Sequence, residues 1–228
     1  MGGVYFHEKK EKEEMNSIKT VIVLFLMFTL GCAAMNGSEE RTSRKRSDSP
    51  ENILAPVDYS QFGRPPIPVK ILLLIPSEFE RYAHVSNYEG SRIHHSLGRD
   101  AELELRDAFG IEFSKVESWP VRSEARAVEM LSPKDPENYQ LRTYDYVAIP
   151  RFIRVDSLES NEKYGFEIDL QVEFNARNGS SITIKGHGEC QIGKYAQSTP
   201  EKGAVLTLQY AISALLDGIE KRRNLFER

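Results

Sequence analysis

The segment "FEIDLQVEFNARNGSSITIKGHGECQIG" restricts the fold of this chain more than any other stretch. Phe166, Ile168, Leu170, Val172 and Phe174 alternate with Glu167, Asp169, Gln171 and Glu173, which is the two-residue period of a strand with one dry face and one wet face. Asn178-Gly179 follows, a pair that tolerates positive φ in a tight hairpin turn. The chain then returns with Ile182, Ile184, Gly186, Gly188, Cys190 and Ile192 in step. Two glycines on the apolar side leave room for a helix to lie close against the returning strand. A helix is available at the end of the chain. Thr199 is its cap and Pro200 its first residue; Ala204, Leu208, Ala211, Leu215 and Ile219 form a stripe, and Lys221, Arg222 and Arg223 sit at the negative end of the dipole.

Upstream, "VKILLLIP" (Val69 to Pro76) is a nearly unbroken apolar run, the pattern of a strand buried on both faces and central in its sheet. "SEFERYAHVSNYEGSRIHH" carries no clean period and reads as an irregular excursion. Leu97, Ala101, Leu105 and Phe109, joined by Ala108, then predict an amphipathic helix capped by Ser96 and closed near Gly110. "FSKVESW" reads as a strand. Ser123 starts a short helix in which Ala125, Val128 and Leu131 share a face before Pro133 stops it. "YDYVAIPRFIRVDS" is a strand with a break near Pro150. The order β-α-β-α-β-β-β-α predicts an α+β fold over residues 69–228: a single two-layer domain with an antiparallel-rich sheet and helices packed on one face.

Ahead of this domain the chain changes character. A charged start leads to Met15, the expected first residue, and "MNSIK" precedes an apolar run from Thr20 to Gly31. That run is about a dozen residues, the length of a signal-peptide core, whereas crossing a bilayer takes roughly 20. Residues 1–31 therefore read as a signal peptide. The run ends at Thr29-Leu30-Gly31-Cys32, followed by Ala33 and Ala34. This resembles the bacterial lipobox, where a leader is cut before a cysteine whose sulfur takes diacylglycerol and whose amino group is acylated, with palmitate as the usual chain. Thr29 departs from the leucine usual at that place, with Leu30 one position later. The resemblance implies lipidation at Cys32; the plainer alternative is that Cys32 ends an ordinary secretory leader or sits in a weakly hydrophobic buried helix.

Residues 32–68 are rich in Ser, Arg, Glu, Pro and Gly, with too few apolar groups to offset ordering entropy, and read as a disordered tether spanning about 35 Å on average. The cluster Arg44 to Arg46 either attracts anionic head groups or keeps the linker solvated. A formal net charge of −4, with basic and acidic residues mixed, argues against nucleic acid as a partner.

Candidates for chemistry are few. His94 and His95 are adjacent, so their side chains diverge. His187 and Cys190 in "HGEC" stand at odd separation, which sends them to opposite faces of a strand, and Cys190 on the apolar side reads as a buried thiol. Glu167, Asp169 and Glu173 read as the solvated face of the sheet rather than an acid-base pair. The chain carries no nucleophile elbow, phosphate-binding loop or metal-type cysteine spacing. No catalytic, metal or cofactor-binding residue is assigned, and no enzyme is expected. Tyr139, Tyr144, Tyr146 and Tyr164 suit either a contact surface or a covered sheet edge.

The combination of "SLGRDAELELRDAFGIEFSKV", "YDYVAI" and the long hairpin with its closing helix resembles the bacterial α/β envelope lipoproteins: the auxiliary lipoproteins of ABC transporters and those of the curli pore and Pel export. Gly98, Phe113, Val116, Asp145, Tyr146 and Val147 carry the likeness. It implies a non-catalytic, periplasm-facing accessory or assembly subunit of an envelope export or transport system, self-assembling or docked on envelope proteins. Ala33 at the second mature position implies the outer membrane. The alternative expectation is a lipoprotein that binds a lipid, lipopolysaccharide or glycan in a pocket between sheet and helices.

Overall fold

The computed structural model describes residues 57–59, 64–160, 163–193 and 199–227. The leader, Cys32 and most of the tether lie outside them, and with them the basic cluster Arg44 to Arg46.

Five strands form one sheet in the order β4-β1-β5-β6-β7. They are β1 (Ile67–Pro76), β4 (Phe113–Val121), β5 (Tyr146–Glu159), β6 (Lys163–Ala176) and β7 (Ser181–Gly193). β1 runs parallel to both β4 and β5, whereas β5, β6 and β7 are antiparallel. After the one-turn helix α1 (Ser77–Glu80), two long helices, α2 (Leu97–Glu112) and α5 (Pro200–Glu220), cover one face. Beneath them Ile71, Leu73, Ile168, Leu170, Leu105, Phe109, Leu208 and Leu215 are fully buried in the main core. The α+β single domain expected from the sequence is the one observed.

Strand β1 explains an addition to the two-layer arrangement. Its run has no polar alternation, so Leu72 and Leu74 also need cover. They find it in a second cluster with Ala127 and Met130 of α3 (Glu124–Met130) and Leu141 of α4 (Asn138–Leu141). The parallel half of the sheet thus has helices on both faces. Ser123 caps α3 as expected, its Oγ accepting from the Arg126 amide at 3.1 Å. The buried face of α3 is nevertheless Ala127 and Met130, while Val128 is 51% exposed: the small Ala127 allows close approach to β1, which a helix turned onto Val128 would not.

The segment expected to be irregular forms a hairpin, β2 (His84–Tyr88) with β3 (Ser91–His95), paired His84↔His95 through Tyr88↔Ser91. Glu89 and Gly90 turn it at positive φ. Its inward residue Ser86 is polar and 1% exposed, which hid the period. Helix α2 does not close at Gly110 but continues to Glu112, since a single helical glycine costs only about 1 kcal/mol and Phe113 goes directly into the core. Ser96 makes no side-chain cap; the Gly98 amide donates to the Tyr82 carbonyl at 3.0 Å. Strand β5 carries its irregularity between Phe152 and Arg154, just past Pro150.

Helix α5 sits directly on β7. A Cβ on Gly186 would strike the Ala211 carbonyl oxygen, and one on Gly188 the Thr207 carbonyl oxygen. The Thr199 hydroxyl accepts from the Lys202 amide at the start of this helix. The last part of the expected tether also packs on the domain. Tyr59 is 8% exposed and its hydroxyl donates to Glu104 at 3.0 Å, while the Val57 amide donates to Gln209 Oε1 at 3.2 Å. Further on, Arg64 pairs with Glu220 at 2.8 Å, and Arg223 donates to the Pro65 carbonyl.

Candidate functional site

On the sheet face opposite the long helices, β5, β6 and β7 present a ladder of charges. Arg154 pairs with Glu167 and reaches Asp169 at 3.1 Å, and Asp169 accepts from His187 Nδ1 at 2.8 Å. Arg151 bridges Glu173 and Glu124 at 3.2 Å each. The row of carboxylates is therefore a solvated, cation-matched surface, as the alternation implied. His187 lies on this face and Cys190 on the other, 5% exposed.

Burial pushes the Cys190 thiol up, against a hydrogen bond with Thr207 that pulls it down. Since the thiolate is the reactive form, we expect native Cys190 to react with a disulfide reagent at least a hundred-fold more slowly than in the urea-unfolded chain. The comparison is made in a Cys32→Ser background, and equal rates would contradict the placement.

A groove of about 720 Å³ opens where the β6–β7 turn meets the loop around α4. Leu131, Leu141 and Val147 form its apolar wall, and Asn138, Arg142 and Arg177 its polar rim. Arg177 is held in place: Nε donates to the Tyr144 carbonyl at 2.6 Å and Nη2 to Asp145 at 3.3 Å. The Arg142 guanidinium donates through Nε to Asn138 at 3.3 Å. The space between the sheet and the two long helices, by contrast, is filled by the main core.

A polar cluster lies under the β2–β3 hairpin. His95, 4% exposed, shares a 2.8 Å hydrogen bond with Ser86, and His84 shares one of 3.0 Å with Ser157. Burial lowers both histidines; for His84 the charge of Asp156 opposes this, and for His95 the neighbouring His84 lowers it further. Both are thereby biased toward the neutral form. Phe166 packs edge-on to both rings. Of the adjacent pair, only His95 enters the core, and its companion is His84 across the hairpin rather than His94. That pairing was missed because the hairpin was; the cue was the turn pair Glu89-Gly90 between two short runs. Ser86 at 1% exposure is out of reach of any substrate, and the described residues hold no group of three or more His, Cys, Asp or Glu able to bind a metal ion.

The residues that carried the sequence likeness turn out to hold the fold together. A side chain on Gly98 would strike the Phe79 and Glu80 carbonyls. Asp145 accepts from the Lys70 amide at 2.8 Å, fixing β5 beside β1. Tyr146 donates to the Leu225 carbonyl at 2.9 Å, and Phe113 packs edge-on or tilted among Phe109, Phe174 and Phe226. Val116 packs on the main core and Val147 on the smaller one. Of the four tyrosines, Tyr139 alone is broadly exposed, at 66%.

No family model matches this sequence, and no curated protein matches it. Among solved structures, it is similar to a protein of Xanthomonas campestris at 13% identity, covering 71% of this chain and 90% of that one, with a TM-score of 0.38. It is also similar to the PelC dodecamer from Paraburkholderia phytofirmans at 12% identity, covering 66% and 90%, TM-score 0.36. A third is lipoprotein GNA1162 from Neisseria meningitidis at 10% identity, covering 67% and 99%, TM-score 0.36. Likenesses at this level transfer no role.

Proposed function

We propose that this chain is a non-catalytic, lipid-anchored accessory or assembly subunit of a cell-envelope export or transport system, its domain facing the periplasm from the outer membrane. The observation that carries the reading is the short apolar run ending at Cys32, joined through a polar tether to a domain with a charged sheet face. Several acyl chains on one cysteine hold firmly where a single chain is marginal, and the tether gives the domain reach. Among the described residues no helix is long and apolar enough to cross a membrane, so on this reading attachment falls to Cys32.

The test is metabolic labelling of the full-length chain with an alkyne palmitate analogue, followed by crosslinking in intact cells. The wild-type chain is expected to take the label and to capture itself or envelope proteins. Cys32→Ser is expected to lose the label and leave the membrane fraction. An unlabelled wild-type chain recovered from cytosol would overturn the proposal.

A second reading is favoured by the groove beside α4. Its apolar wall and arginine and asparagine rim suit an amphiphile or glycan bearing an anionic group. Native mass spectrometry of the full chain in detergent, with phosphatidylglycerol and lipopolysaccharide as probes, should then show adducts that weaken at least ten-fold in Arg142→Gln. Adducts of equal strength in both would remove this reading.

A further inference from the structure

We infer that copies of this chain join head to tail, edge strand β7 of one pairing in parallel with edge strand β4 of the next. This deepens the assembly reading above and rests on it. The sheet order leaves β4 and β7 each with one strand neighbour among the described residues. β4 runs with β1 and β1 with β5, while β5, β6 and β7 alternate. Hence β7 and β4 point the same way, and a copy added at the edge keeps its orientation, as a heterologous contact requires.

Helix placement decides between this contact and a symmetric one. Because Gly186 and Gly188 bring α5 down onto β7, a two-fold β7–β7 pairing would set two α5 helices about one strand spacing apart, roughly 5 Å, where helices need 8–10 Å. Adding β4 instead places the next copy's α2, which packs against its own α5 and joins β4 at Glu112–Phe113, at least two strand spacings away, roughly 10 Å or more. There the helices do not collide.

The surfaces brought together carry charges of both signs. At 100° per residue, exposed Asp217 falls on the α5 flank away from α2, and exposed Arg106 on the α2 flank away from α5. On the open face of β7, Glu189 stands opposite Glu167 of β6, and Lys185 opposite neutral Gln171; β4 offers the oppositely charged Lys115 and Glu117 on its corresponding face. The Arg222 guanidinium already holds the Thr183 carbonyl at 2.7 Å, so by alternation the amides of Lys185, His187 and Glu189 also point outward from the sheet edge. Neither edge carries an inward-pointing charge, one of the guards against such pairing, and Pro120, which has no amide, confines pairing on β4 to the residues before it.

The test guards each edge separately in the full-length chain in detergent, with mass read by sedimentation velocity. His187→Pro removes an outward amide of β7, and Ser118→Lys points a charge inward on β4. Wild type is expected to form oligomers. Each variant alone should be monomeric, with association at least ten-fold weaker, and the 1:1 mixture should form heterodimers, since each partner retains the edge that the other lacks. Circular dichroism melts check that both variants fold. If either does not, hydrogen exchange on wild type replaces it, with protection of Lys185, His187 and Glu189 amides rising with concentration. A monomeric wild type overturns the inference. So do guarded variants that still assemble, a mixture that stays monomeric, or edge amides with unchanged exchange. If assembly or envelope crosslinks persist in the guarded variants, the assembly reading stands and only this interface falls.

Discussion

Gly188→Ala is expected to destabilise the domain by on the order of 3 kcal/mol, and Gly186→Ala by about as much. The added methyl meets a backbone carbonyl of α5 in each case, Thr207 or Ala211, so no flexible side chain can yield. Either the helix lifts from β7, opening the seam that buries Ala204, Ala211 and Leu215, or β7 bends away from β6. Gly110→Ala makes the opposite prediction from the same chemical change. Gly110 is helical and a Cβ there meets nothing within 4 Å, so the variant should gain about 0.5–1 kcal/mol from backbone entropy. Urea midpoints of the three variants beside wild type check both signs. A neutral Gly188→Ala would mean that α5 does not touch the strand.

The second large effect is electrostatic. Glu112 is 4% exposed and its Oε1 has no hydrogen-bond partner. Burial, with help from a hydrogen bond to Glu220 and that residue's charge, pushes its carboxyl up to about 8, against the pull of Arg223 and Arg64. Glu220 moves the other way. Burial pulls it up, but the hydrogen bond from Glu112 and the guanidiniums of Arg223 and Arg64 together bring it down. Between the ordinary carboxylate value of 4.5 and about 8, folded Glu112 keeps a proton that the unfolded chain has lost, so stability falls as pH rises through that window. Glu220 contributes the reverse, stability lost as pH drops below the ordinary range. Glu112→Gln keeps a donor toward Glu220 and cannot ionise. Its stability should be nearly flat from pH 5 to 8.5 and should exceed wild type at pH 8.5 by on the order of 2 kcal/mol. Urea melts at pH 5, 6.5 and 8.5 measure this, and parallel curves for the two proteins would show that Glu112 is ionised in the fold.

How much could be read in advance depended on which contacts were local. The β6–β7 hairpin was legible because its period, its Asn178-Gly179 turn and its dry face all lie within one short stretch; Gly179 takes positive φ as that turn requires. Helix α5 was legible from its cap and stripe. The β2–β3 hairpin was not, because its buried residues Ser86 and His95 are polar and satisfy each other only once paired. The face of α3 was misjudged because one apolar triad with helical spacing looks like another until β1 is in place to choose Ala127 and Met130.

The sequence by itself determined the class of fold and the seat of the longest helix, since these follow from periodicities and runs within single segments. Only the tertiary structure decided which helices cover the second face of β1, that Tyr59 belongs to the core, that Glu112 meets Glu220, and that among the described residues β4 and β7 are the sheet's open edges. Each of these joins residues far apart in the chain, and which distant groups share a dielectric, a hydrogen bond or an edge is set by packing geometry rather than by any local pattern.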